Sequence, residues 1–170
     1  MTSPFPGLLD AHYDHLKSSA ISDQVIVSRG YVSIGGLSVW QALGAPPLSR
    51  GAKVDGIGFP IYRLGKSPPH SWIMRPDKPR APKGKTIKYE CAPSVPNCFD
   101  VLPQYHAALG DPNIPIWITE GAKKADALAS VYGAAIVPIN ENGVWGFRST
   151  NPMGGKAIIS DFDEIAWNGR

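Results

Sequence analysis

The sequence predicts a mixed chain, part α+β and part α/β: an N-terminal helical segment, a small basic lobe of short strands, and a partial βαβ parallel-sheet unit at the end. Three observations predict it. Apolar residues fall at helical spacing near the start. Gly 18 and Pro 17 make up about a fifth of the 170 residues, against a usual ~12%, which favours turns and short strands over a helix bundle. The last third places a helical stretch between two apolar runs.

Each element follows in order. Leu8, Leu9, His12, Tyr13 and Leu16 form a stripe that one face of a helix buries. A second helix starts on Ser22 as N-cap, runs through Val25 and Ile26 and stops at Gly30. Ser38 to Gly44 repeats the cap-to-glycine pattern for one or two turns, and Ala45-Pro46-Pro47 then breaks the chain. These breaks divide the chain into a helical segment over 1–48, a β-rich lobe over 49–112 and a final part over 113–170.

In the lobe, residues 57–63 and 71–75 read as two strands of a hairpin. Pro60 has no donor N–H, which puts its strand at an edge or a bulge. Residues 76–85 are a basic, proline-rich loop, 86–90 a third short strand, 91–96 irregular, and 101–109 a weak helix ended by Gly110 and Pro112. Residues 114–119 then read as a buried strand, 122–131 as a helix with Ala125, Leu128 and Ala129 inward, and 134–139 as the next buried strand. Two strands joined by a helix predict parallel pairing with a right-handed crossover.

The net charge of +3 conceals an uneven distribution. From Arg50 to Tyr89, ten basic residues face only Asp55 and Asp77, so that stretch carries +8 and the remainder −5. Such an excess is either a surface that meets phosphates or a solvated basic face. Phe59, Tyr62, Trp72 and Tyr89 interleave with the charges, as stacking partners for bases or as core residues.

Several classes are excluded. No window approaches 18 consecutive apolar residues, so no transmembrane helix is expected. The first residues have neither a basic region nor an apolar core, so no signal peptide is expected. Two cysteines do not make a disulfide scaffold and fit a reducing, cytoplasmic setting. Cys91, Cys98, His12, His15, His70 and His106 lack the tight pairing of a zinc site. No P-loop and no nucleophile elbow is present.

Glu120 is the sharpest candidate for chemistry. It stands at the carboxyl end of a strand, just before a helix, where α/β sheets place ligands. Gly121 beside it permits close approach. Lys123 and Lys124 occupy the first helical turn, where the macrodipole disfavours cations. Either they face an anion, or both are solvated while Glu120 offsets the dipole.

The motif order carries a resemblance. Gly58-Phe59-Pro60-Ile61, Trp72-Ile73-Met74-Arg75, Lys88-Tyr89-Glu90-Cys91-Ala92-Pro93 and Ile116-Trp117-Ile118-Thr119-Glu120-Gly121 resemble the catalytic core of bacterial-type primases with a toprim domain. Arg75-Pro76-Asp77-Lys78-Pro79-Arg80, Lys88-Tyr89-Glu90 and the block from Trp117 to Leu128 are similar, more closely, to a toprim-like family in replication proteins of plasmids, phages and integrative elements, often fused to a helicase. The resemblance covers nearly the whole chain, and its specificity lies in several blocks occurring in order.

The resemblance implies a catalytic Glu120 that holds Mg²⁺ (or Mn²⁺) together with a later Asp-x-Asp, carboxylate oxygens being suited to that hard ion. Asp161 and Asp163 supply that pair in one alignment. In the alignment to the closer family, Asp163 to Trp167 begins a helix, and the metal-binding pair follows a strand beyond Arg170, so that the chain stops one strand short of its site. The resemblance further implies that Arg63, Arg75, Arg80, Lys83, Lys85, Lys88, Lys123 and Lys124 contact nucleic acid, Arg75 and Lys88 standing at the family's basic positions. Single-stranded DNA or primer-template, nucleotides and a fused or associated helicase are the implied partners. One departure is Lys124, where the primases carry an aspartate; Asp126 comes later.

The function expected is the nucleic-acid-binding part of a toprim-type primase, making primers by Mg²⁺-dependent nucleotidyl transfer. The alternative is a non-catalytic module binding single strands or a partner protein on a toprim-like scaffold. A toprim-type nuclease is a third reading, disfavoured because the basic lobe accompanies synthesis in that family.

Overall fold

The computed structural model describes residues 2–66, 69–93, 95–141, 148–150 and 156–169. Helix α1 (Asp10–Lys17) buries His12, Tyr13 and Leu16. Leu9, at its N-cap, points outward instead. Helix α2 (Asp23–Arg29) is capped as its sequence demands: Ser22 Oγ accepts the Val25 N–H at 3.3 Å, and Gly30 closes the helix in the left-handed region at φ 72°. Helix α3 (Leu37–Ala42) starts after Gly36 rather than at Ser38.

The lobe is a four-stranded antiparallel sheet in the order β1 (Val32–Gly35), β2 (Asp55–Ile61), β3 (Ser71–Pro76), β4 (Glu90–Cys91). Strand β1 was not anticipated: only Ile34 of its four residues is buried, too short a pattern to show alternation. It makes β2 an interior strand, yet Pro60 is tolerated. β1 pairs with β2 only from Asp55 to Gly58, so Pro60 lies past its end, paired with Trp72 on the other side alone. Gly56 is required for close approach. Its φ is 155°, and a Cβ there would fall 2.1 Å from the Arg75 carbonyl oxygen on β3. Strand β4 covers two residues, shorter than the expected 86–90. Residues 101–109 form two 3₁₀ turns (Pro103–Tyr105 and Ala107–Gly110) rather than an α-helix.

The βαβ unit is as expected. β5 (Ile116–Thr119) pairs parallel with β6 (Val137–Asn140), and α4 (Ala122–Tyr132) crosses between them. Two details differ. β5 is half-exposed, with the Trp117 ring tilted against Tyr132 at a ring distance of 5.2 Å. The inward face of α4 holds Ala122, Ala125, Asp126 and Ala129, with Leu128 only partly covered. Beyond it, β7 (Arg148–Thr150) and β8 (Lys156–Ile158) form an antiparallel pair. A 3₁₀ turn over Ser160–Glu164 stands where a helix from Asp163 was expected.

One apolar core joins these parts: Leu16, Ile21 and Val25 from the helices, Phe59 from β2, and Phe99, Val137, Ile139 and Ile165 pack in a single cluster. No helix among the described residues is long and apolar enough to cross a membrane.

Candidate functional site

Glu120 follows the last residue of β5, and Glu141 follows the last residue of β6. Thr119 and Asn140 are register partners, and the Glu141 N–H donates to the Thr119 carbonyl at 3.0 Å. Two carboxylates therefore stand side by side at the carboxyl ends of neighbouring parallel strands. Burial raises the Glu141 pKa, and the charge of Glu120 raises it further. Glu120 itself is 59% exposed and, among the described residues, pairs with Lys124 at 3.4 Å, a loose surface pair. The readable signal for Glu141 was its position: the residue one past the second strand, as Glu120 is one past the first.

Two adjoining cavities open beside Glu120. The first, about 380 Å³, is lined by Ser19, Tyr89, Gly121, Lys123, Lys124 and Glu120 itself. The second, about 220 Å³, shares Tyr89, Glu120 and Gly121 and adds Phe59, Ile73, Asn97 and Asn140. The cleft thus has Phe59, Ile73 and Tyr89 of the lobe on one side and the strand ends of the βαβ unit on the other. Tyr89 forms the shared wall, its ring edge-on to Phe59 at 5.8 Å. Burial raises the Tyr89 pKa, and Arg75 opposes the rise.

Cations gather at the first cavity. Lys123 Nζ lies 2.8 Å from His15 Nε2 and donates to Ser19 Oγ at 3.1 Å. Burial, and then the charge of Arg75, lower the Lys123 pKa. Burial, then Lys123, Arg75 and His12, take His15 down to about 4. Among the described residues, no acid pairs with Arg75 or Lys123.

The other expected residues divide. Arg63 donates to Asp161 at 2.9 Å, and Arg80 holds the buried Glu90 with two bonds of 2.6 and 3.0 Å. Lys83, Lys85, Lys88 and Lys124 are exposed. Asp161 is buried, and its second oxygen accepts the Phe99 N–H at 2.7 Å. Asp163 is exposed on the 3₁₀ turn. Among the described residues, Glu120, Asp161 and Asp163 do not converge as a metal-binding cluster. Of the carboxylates expected at a metal, Glu120 and Asp163 are exposed and Asp161 is not, and Glu141 brings a second oxygen donor beside Glu120.

Under the cleft lies a polar network that sequence reasoning missed. Arg29, 1% exposed, donates to Asp126 at 2.6 and 3.0 Å, to Asp100 at 2.6 Å and to the Pro60 carbonyl at 3.2 Å. The Tyr31 hydroxyl also donates to Asp126, and Asn140 to Asp100 at 3.1 Å. Burial opposes the Arg29 charge, but Asp100 and Asp126 outweigh it and hold its pKa well above the ordinary value. The network ties α2, β2, α4 and the end of β6 into one frame behind the site.

Comparison with known structures bears out the mixed fold of an antiparallel sheet set against a parallel strand pair. The chain superposes on a solved structure of the DnaG catalytic core with a TM-score of 0.55 at 17% identity, over 84% of this chain. It spans half the length of that structure. A family model, "Domain of unknown function (DUF3854)", matches residues 105–170. No curated protein sequence matches the chain.

Proposed function

We propose that this chain is the nucleic-acid- and nucleotide-binding part of a toprim-type primase from a mobile-element replication protein, in which Glu120 is the catalytic carboxylate. The observation that carries the reading is the position of Glu120: at a parallel strand end, on a cleft that Lys123 and Lys124 share and whose opposite wall is Phe59, Ile73 and Tyr89 of the basic lobe. On this reading Arg75, Lys83, Lys85 and Lys88 hold the template or product backbone, with Tyr89 a stacking face for a base. Arg63 and Arg80, each fixed to an acid, shape the lobe rather than bind phosphate. Glu120 and Glu141 hold Mg²⁺, whose contribution when bound is to neutralise and orient phosphate oxygens. The chain's own residues align the two substrates and keep the carboxylates beside them. A helicase, fused or associated, would supply the unwound strand.

The test is primer synthesis from nucleotides on a single-stranded template with Mg²⁺. Synthesis by the native chain and its loss in Glu120→Gln supports the enzyme; no synthesis by the native protein, even with any sequence that follows Arg170, overturns it. One observation favours a second reading, a non-catalytic binding module: Asp161 is bound to Arg63 and the Phe99 amide instead of standing with Glu120. That reading predicts single-strand binding with no synthesis.

A further inference from the structure

The contact between Lys123 and His15 joins two residues 108 positions apart and decides a tautomer. An ammonium has only hydrogens to give. At 2.8 Å from Lys123 Nζ, His15 Nε2 must therefore present its lone pair, so the imidazole is neutral with its proton on Nδ1. Ser19 Oγ takes a second ammonium hydrogen at 3.1 Å. Both acceptors come from α1 and the turn just after it, and both are neutral. They aim the ammonium without cancelling its charge, and a third hydrogen is left for a ligand in the cavity that Lys123 lines. Lys124 differs, because its charge meets Glu120.

The surroundings favour an anion. Arg75 adds a second positive charge, with no acid paired to it among the described residues, that acts on both His15 and Lys123. Like charges held together against burial are relieved when an anion enters. The two-part cavity narrows the choice of anion. Beside the cationic compartment of about 380 Å³ lies one of about 220 Å³ with Phe59 and Ile73 as apolar walls and Asn97 and Asn140 as amides. Apolar walls with a few amides suit a heterocyclic base.

We propose that Lys123, positioned by His15 and Ser19, is the residue of this cleft that binds the polyphosphate of a free nucleotide. This deepens the reading of the site as nucleotide-handling and rests on it. It also gives the N-terminal helix a part in the site: His15 and Ser19 are positioning residues that act through Lys123. The shared chemistry is the phosphate oxyanion, and a nucleic-acid backbone is its other source.

The test measures binding of inorganic tripolyphosphate, ATP and a single-stranded oligothymidylate to the full chain, with EDTA present, by titration calorimetry. Lys123→Met should weaken tripolyphosphate and ATP on the order of tenfold, the size of one hydrogen bond to a charged group. His15→Leu, which removes the acceptor, should weaken both several-fold. His15→Gln keeps an acceptor and should restore binding to within about twofold. Oligothymidylate should stay within about twofold throughout. Should His15→Leu fail to fold, as a melting curve would show, Ser19→Ala takes its place with the same expectation. Equal tripolyphosphate binding by wild type and Lys123→Met, or none by either at millimolar concentration, overturns the proposal. So does an oligothymidylate loss as large as the tripolyphosphate loss, which assigns Lys123 to the backbone. Wild-type protein that holds tripolyphosphate through Lys123 but ignores oligothymidylate would instead overturn the primase reading and leave this inference standing.

Discussion

Helix α4 carries two charge clusters three residues apart that are built on opposite principles. At Asp126 the charges are buried and matched: Arg29 is surrounded by Asp126, Asp100 and the Pro60 carbonyl, with Tyr31 and Asn140 taking up further oxygens. At Lys123 they are partly open and unmatched: Lys123 meets only neutral acceptors, and Arg75 meets no acid among the described residues. Desolvated charge is tolerated in a frame only when it is fully paired. Charge left uncompensated beside a cavity is what a ligand of opposite sign requires. The first cluster holds the fold, and the second is available for binding.

Breaking the matched cluster should have the largest effect. Arg29→Met leaves two carboxylates buried without their cation and should cost about 3–5 kcal/mol in urea unfolding; a loss below about 1 kcal/mol would mean water already reaches the pair. Next is Gly56→Ala, which drives a methyl into the Arg75 carbonyl and should cost about 1–3 kcal/mol. Because that clash moves the strand bearing Arg75, weaker phosphate binding should accompany it. Wild-type stability in this variant would show that β2 and β3 separate easily. Glu120→Gln belongs to the unmatched cluster and should change stability by no more than about 0.5 kcal/mol, since its pair with Lys124 is exposed. A larger loss would make Glu120 part of the frame.

A smaller effect comes from pH. His15 is held at about 4, against an ordinary 6.5. As pH falls, the unfolded chain takes up this proton before the folded one does, so the contribution of this site is complete above pH 6.5 and declines between 6.5 and about 4. His15→Gln should lack that increment, so its unfolding midpoint should fall less than that of wild type between pH 7 and 4.5. Parallel curves for the two proteins would show that His15 takes up its proton as readily in the folded state as in the unfolded one.

Local signals were legible where neighbours in sequence create them. The Ser22 cap, the Gly30 stop, the hairpin and the βαβ unit all follow from local spacing and turn residues. What escaped depends on distant partners. Helical periodicity favours the apolar Leu128 over Asp126 as an inward residue of α4, while Arg29, 97 positions earlier, makes burial of the acid possible. Pro60 suggested an edge because the short β1, which covers only half of β2, was invisible. Nothing near Arg63 or Arg80 in sequence marks Asp161 or Glu90 as its ion-pair partner.

The central claim is that the unmatched cations, and not the matched ones, meet phosphate. The direct measurement is affinity for a single-stranded oligonucleotide as salt rises from 50 to 200 mM. Contacts from Arg75, Lys83, Lys85 and Lys88 predict a log–log slope of about −2 to −3, a weakening of roughly 16- to 64-fold. The slope should shrink by about 0.7 for each of these cations removed, and stay unchanged in Arg80→Met. Equal binding at both salt concentrations, or a slope that falls in Arg80→Met as far as in Lys88→Met, would contradict the account.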